Sequence, residues 1–137
     1  LSLKDDGYCF ACGENNLRGL RLKFSRQGEK FVTRFTPEKS QQGYTGIVHG
    51  GITAAVLDEV MGKSLVDLDI PVVTAELKVR YKKPLKVGRE YIFSGWIKQR
   101  KSRMIYMAAR AEATDGTVMA EGEARMVIVR GEDNNDE

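Results

Sequence analysis

Histidine is nearly missing from this chain of 137 residues, where His49 is the only one, and cysteine is confined to Cys9 and Cys12. A structural zinc centre takes four ligands, so one copy of the chain does not supply a full cysteine and histidine set, and no metal or cofactor is expected. No apolar run approaches the roughly 20 residues of a membrane span. The opening residues lack the basic-then-apolar pattern of a signal peptide, so a cytoplasmic protein without membrane contact is expected. The net charge is only +3, aromatics make up 8% and no basic block is present, which argues against nucleic acid as a partner. What remains is a chain with 42% hydrophobic and 30% charged residues, enough for one globular domain with a substantial core.

The stretch around which the chain is organised is Gly43 to Leu65, GYTGIVHGGITAAVLDEVMGKSL. Gly50 and Gly51 stand just before an apolar run, where a residue without Cβ lets another group approach the free N–H groups of a first helical turn. Those donors carry the positive end of the helix dipole and stabilise an oxygen gaining negative charge. The run Ile52, Ala54, Ala55, Val56, Leu57, Val60, Met61 and Leu65 is apolar around most of a helix, which predicts a helix enclosed by other structure. Asp58 and Glu59 lie in its middle, and a buried carboxylate is costly unless paired or used. The bland alternative is a tight turn at Gly50-Gly51 and a solvent-facing acid at Asp58.

Spacing adds a constraint. Eight residues separate Gly50 from Asp58, roughly 12 Å along one helix at 1.5 Å per residue. One small reacting group does not touch both. If both serve one reaction, Asp58 comes from a second, antiparallel copy across a two-fold axis, so a homodimer with two shared sites is expected.

Residues 1–17 form a turn-rich cap holding Cys9-Phe10-Ala11-Cys12-Gly13. That pair is half of a zinc site, which two copies meeting across a dimer would complete, a redox couple, or two reduced thiols, and a reducing compartment favours the last. Two alternating segments follow, Leu20, Leu22 and Phe24 on one, Phe31, Thr33 and Phe35 on the other, with a hairpin turn at Gln27-Gly28-Glu29. A polar, glycine-rich loop from Pro37 to Gly46 leads into the helix and places Gln41, Gln42 and Tyr44 at the border of the candidate oxyanion site. The helix should fade between Leu65 and Asp69, before Pro71. From Val72 the period becomes two, with Ala75, Leu77, Val79 and Tyr81 on one face and Thr74, Glu76, Lys78, Arg80 and Lys82 on the other. Further strands are expected over Tyr91–Lys98, Met104–Thr114 and Thr117–Arg130, with a tip at Gln99–Ser102 and a turn at Asp115-Gly116. Residues 131–137 read as a disordered acidic tail. Six strand candidates and one long helix predict an α+β domain over residues 1–130, with a curved antiparallel sheet of five to six strands wrapped around the helix.

These residues are similar to a known group. The string GIVHGGITAAVLDE at 46–59, the strand VTAELKVRYKKPL at 73–85 and the opening CFACGENNLRGLRL at 9–22 resemble the hotdog-fold acyl-CoA thioesterases of the phenylacetate-pathway (PaaI-like) type. The resemblance covers nearly all of the chain up to Arg130. It implies a hotdog homodimer, often paired again into a tetramer, that hydrolyses acyl-CoA to free acid and CoA. It further implies the Gly50 N–H as oxyanion contact, His49 as an orienting residue, Asp58 as the catalytic carboxylate and Thr74 as a hydroxyl that holds water or substrate. Some relatives carry Asn six residues before the motif His, where this chain has Gly43.

On that reading Gly51, Gln42, Tyr44 and Glu59 border the substrate, and the basic tip with Arg100 and Lys101 meets the CoA phosphates by charge-assisted contacts. Met61, Leu65, Val56 and Tyr81 are equally candidates for an acyl slot and for plain core. Glu59 is the alternative acid. Three other functions stay open: a non-catalytic acyl-CoA-binding domain, an acyl-thioester hydratase or dehydratase using His49 with Glu59, and a metal or redox protein organised on Cys9 and Cys12.

Overall fold

A computed structural model describes residues 3–129, so the tail expected at 131–137 and the end of the last strand at Arg130 lie outside the described residues. Within them the elements run β1 (Phe24–Gln27), β2 (Lys30–Phe35), a short 3-10 turn (Lys39–Gln41), α1 (Gly50–Asp67), β3 (Val72–Tyr81), β4 (Tyr91–Lys101), β5 (Met104–Ala113) and β6 (Val118–Ile128). All pairings are antiparallel, in one six-stranded sheet of order β1-β2-β4-β5-β6-β3. This is the expected α+β hotdog fold, a single long helix lying in the curve of the sheet. β3 pairs only with β6 and therefore forms one margin of the sheet.

The helix packs by one stripe. Thr53, Val56, Leu57, Val60, Met61, Ser64 and Leu65 are buried, at the spacing of three and four that defines a helical face. They meet Phe93, Ile105, Met107 and Met126, all buried side chains of β4, β5 and β6. At Gly95 a Cβ would lie 2.9 Å from the Val60 carbonyl oxygen, so only glycine lets β4 approach the helix backbone this far. The expectation of a helix covered all round is corrected. Ala54, Ala55, Asp58, Glu59, Gly62 and Lys63 are only half-buried and Val66 is exposed. The small side chains counted as apolar in the sequence leave this second face open.

Both ends of the helix are fixed locally. His49 caps the start, its side chain accepting from the Gly51 N–H. At the other end the Ile70 N–H reaches the Leu65 carbonyl and the Asp69 N–H reaches that of Val66, the Schellman pattern, with Asp69 in the left-handed region at φ 62°.

Two boundaries differ from the pattern in the sequence. The alternating segment Leu20–Phe24 is not the first strand. The Leu20 and Leu22 N–H groups bond to the carbonyls of Phe10 and Ala11 in the cap, and β1 begins only at Phe24. Arg21 at φ 52° breaks the extended run. At the far hairpin, β4 continues to Lys101. Arg100 and Lys101 thus sit on the end of a strand, and the turn falls at Ser102-Arg103.

The third difference concerns β3. Its register against β6 shifts between Thr74 and Glu76, and such a bulge exchanges the two faces of a strand. Thr74 therefore turns toward the helix, as Leu77, Val79 and Tyr81 do further on. Simple alternation placed it outward with Glu76 and Lys78.

Candidate active site

The amide of Gly50 heads α1, and the cap chemistry selects it from its neighbours. The Gly51 N–H is taken by His49 Nδ1 at 2.9 Å, and those of Ile52 and Thr53 bond to the His49 carbonyl. Among the described residues no acceptor is recorded for the Gly50 N–H, which is left pointing outward at the positive end of the helix. Gly50 is itself fixed from the other side, because Tyr81 Oη donates to its carbonyl oxygen at 2.7 Å. Sequence reasoning assigned Tyr81 to the core or an acyl slot; it is 54% exposed. The signal available was its position at the end of β3, but no sequence pattern identifies a hydroxyl bonded to a backbone carbonyl thirty-one residues away.

The loop before the helix is organised by its own polar groups. Gln41 closes a capping box with Glu38 and its carbonyl accepts from the His49 N–H. Gln42 Oε1 accepts from the Gly46 N–H at 3.0 Å, so its carbonyl end holds the loop while the amide nitrogen remains available. Gly43 packs against the His49 backbone, where an added Cβ would sit 3.5 Å from the His49 Cα. Tyr44 is 86% exposed; its carbonyl accepts from the Ile47 N–H, and among the described residues its side chain makes no hydrogen bond.

Asp58 lies on the open face of α1. Thr74 Oγ1 donates to Asp58 Oδ1 at 2.7 Å and is also 3.4 Å from the Met126 sulfur. The pair joins helix to strand and orients one carboxylate oxygen while leaving the other free. Both residues line a cleft of about 520 Å³ together with Cys9, Cys12, Glu59, Gly62, Lys63 and Val72. Gly50 does not line it. Tyr81, beside Gly50, and Thr74, beside Asp58, occupy opposite halves of β3, so one chain does not bring the amide and the acid together.

Glu59 has a different environment. Its Oε2 is 3.7 Å from Cys9 Sγ, and Cys12 is beside it. Burial, followed by the Glu59 carboxylate, pushes the Cys12 thiol well above its usual range. Lys63, one turn on, is held above its ordinary value by Cys12, Glu59 and Asp5 although burial works against it. Arg100 and Lys101 are exposed. Their hairpin folds over the end of β6, where Arg103 Nη2 donates to the Ile128 carbonyl at 3.2 Å. Since Val72 pairs with Ile128, the basic tip belongs to the end of the sheet that carries Asp58, away from its own Gly50.

An unpartnered amide at a helix start can hold an oxyanion, and an oriented carboxylate can attack a carbonyl or deprotonate water; together these are the parts of acyl-transfer chemistry. The chain belongs to the thioesterase superfamily, whose family profile matches residues 45–120, and membership supports a thioesterase-type activity. Acyl-coenzyme A thioesterase 13 of Mus musculus is 27% identical over 97 residues, 69% of this chain and 69% of that protein. Acyl-coenzyme A thioesterase THEM4 of Xenopus laevis is 26% identical over 96 residues. Those residues are 70% of this chain but only 43% of the frog protein. Among solved structures, a thioesterase superfamily protein superposes with a TM-score of 0.83 at 24% identity, covering 88% of this chain and 63% of its own. A hypothetical thioesterase from Streptococcus pneumoniae, crystallised with coenzyme A, gives 0.74 at 17% identity over 79% of this chain and 85% of its own.

Proposed function

We propose that the protein is an acyl-CoA thioester hydrolase of the PaaI-like type, working as a homodimer whose two sites each take residues from both chains. The observation that carries this reading is the separation of the two halves of the chemistry: the unpartnered Gly50 N–H and the Thr74-bound Asp58 stand eight residues apart on one helix, with an open face between them. A two-fold axis through that face sets Asp58 of one protomer against Gly50 of its mate.

The margin strand supports the same axis. β3 is ten residues long and hydrogen-bonded on one side only, and such an edge is normally covered or blunted. A second copy laid antiparallel along β3 continues the sheet, brings the two helices side by side over Ala54, Ala55 and Gly62, and carries the Arg100 and Lys101 tip of the acid-bearing chain toward the CoA end of the site. Pairing of two such dimers accords with the group resembled.

In the reaction, the thioester carbonyl oxygen accepts from the Gly50 N–H as it gains charge. The partner's carboxylate at position 58 either attacks the carbonyl carbon, giving an anhydride that water then opens, or takes a proton from a water that attacks. The C–S bond breaks, the CoA thiolate leaves and is protonated, and the acid is released. His49 is occupied through Nδ1 in holding the helix start and has only Nε2 for substrate. Glu59 faces the cysteines, ten positions along from His49, so one chain does not assemble the histidine and acid pair that a hydratase needs.

The test is release of free thiol from a panel of aryl-, short- and medium-chain acyl-CoAs by wild type and Asp58→Asn. Turnover by wild type and its loss in a folded, dimeric variant are expected. Binding of acyl-CoA by wild type with no thiol released would assign the protein as a binding domain instead.

A further inference from the structure

We propose that Cys9, Cys12 and Glu59 form a binding site for a single zinc-class divalent ion that fastens the N-terminal cap to α1. The inference is independent of the thioesterase reading, which uses none of these three residues in its chemical steps.

The donor set is convergent. One ligand atom from each residue lies within 4.8 Å of the other two. Around a tetrahedral zinc with a thiolate at about 2.3 Å and a carboxylate oxygen at about 2.1 Å, sulfur and oxygen are separated by about 3.6 Å. Cys9 Sγ donates to Glu59 Oε2 across 3.7 Å, which is also the edge of such a tetrahedron, so an ion replacing the thiol proton finds both atoms in place.

The two sides of the site are built on independent, rigid supports. The cysteines sit in a tight turn closed by the Gly13 N–H on the Cys9 carbonyl at 2.8 Å. Gly13 is buried there, and a Cβ would come within 2.5 Å of the Cys9 nitrogen and of the Gly7 oxygen. Glu59 projects from the middle of the long helix, fifty residues away in sequence. Two thiols and a carboxylate gathered at one half-buried point repel one another when ionised, and a divalent cation resolves that conflict. The Lys63 ammonium now faces the group, and it has Asp5 Oδ2 at 4.0 Å as a partner to move toward.

Two thiolates with a carboxylate select a borderline-soft ion such as zinc over magnesium or calcium, which prefer all-oxygen sites. Binding releases the two thiol protons to solvent. The fourth position opens on the cleft shared with Asp58 and Thr74 and takes water. A disulfide is the competing fate of the two sulfurs, but it gives Glu59 no part.

The experiment uses the full chain, purified without an affinity tag under reducing conditions, with metal content measured per chain and cobalt(II) titrated into the metal-free protein. Expected are about one zinc per chain and a thiolate-to-cobalt charge-transfer absorption that Cys9→Ser and Cys12→Ser each remove. Glu59→Gln should weaken cobalt binding by at least the ~10-fold that losing an outer-shell partner already costs. Asp58→Asn, whose neighbour is Thr74, should leave stoichiometry and spectrum unchanged. Circular dichroism checks that each variant is folded, and Glu59→Gln alone decides the matter if the cysteine variants are not. Absence of metal with no cobalt absorption overturns the proposal. So does binding indifferent to Glu59, loss of binding in Asp58→Asn, or recovery of the chain with Cys9 and Cys12 joined as a disulfide that resists mild reductant.

Discussion

Thr74 Oγ1 donates to Asp58 Oδ1 across 2.7 Å, tying the margin strand of the sheet to the middle of the helix. The bond exists because the β3 bulge turns Thr74 inward. It fixes the carboxylate without neutralising it, since a hydroxyl donor leaves the charge in place. Thr74→Val keeps the shape and removes the donor. On the proposed chemistry its expected effect is a fall in kcat of about 10- to 100-fold with little change in KM, matching the roughly 1.5–3 kcal/mol of a hydrogen bond to a charged group. Steady-state kinetics beside Asp58→Asn check it, and an unchanged kcat would remove Thr74 from the site.

Tyr81 supports the amide rather than the acid. Its hydroxyl on the Gly50 carbonyl sets the plane of the peptide group at the helix start. Tyr81→Phe should lower kcat by up to about 10-fold, the scale of one net hydrogen bond. The melting temperature should move little, because the side chain is already largely exposed. A variant that loses stability but keeps kcat would give the hydroxyl a purely structural part.

His49 stabilises the helix through an ordinary cap bond. His49→Ala should cost about 0.5–2 kcal/mol in chemical denaturation, whereas His49→Asn, a good capping residue, should recover most of that loss. Should His49→Asn restore stability but not turnover, the ring has a further task at the substrate.

Gly95 brings β4 close against the helix, with only 2.9 Å from an added Cβ to the Val60 carbonyl oxygen. Gly95→Ala should destabilise by about 1–3 kcal/mol, as overpacking does. An unaltered unfolding midpoint would mean that helix and sheet separate there at no cost.

Much of this molecule is legible in its sequence, for identifiable reasons. The α1 boundaries follow from the Gly50-Gly51 pair and the turn before Pro71. Strands β4, β5 and β6 are legible from their alternation although their ladders shift register at Ile97/Gln99 and Ala111/Glu112, and Gly28 and Gly116 mark turns with positive φ. The features that escaped are those with no period. A single extra residue near Ala75 reverses which way Thr74 faces. Leu20 and Leu22 alternate like a strand yet anchor the cap through bonds to Phe10 and Ala11. Glu59 reads as a helix acid destined for a cation or substrate, and only the folding of the cap over α1 brings it to Cys9. That Gly50 and Asp58 stand eight residues apart on one helix was legible, because the rise of a helix is known in advance.

On the proposed assembly, the one-sided ladder of β3 would give the protein a property that no single residue confers. If each working unit takes its amide and its acid from different protomers, the amount of competent catalyst follows mass action. Specific activity should then fall on dilution below the dimer dissociation constant and return on concentration, with the protomers remaining folded throughout. The free margin of a six-stranded sheet would thus set a threshold of abundance beneath which the protein is present in the cell but idle.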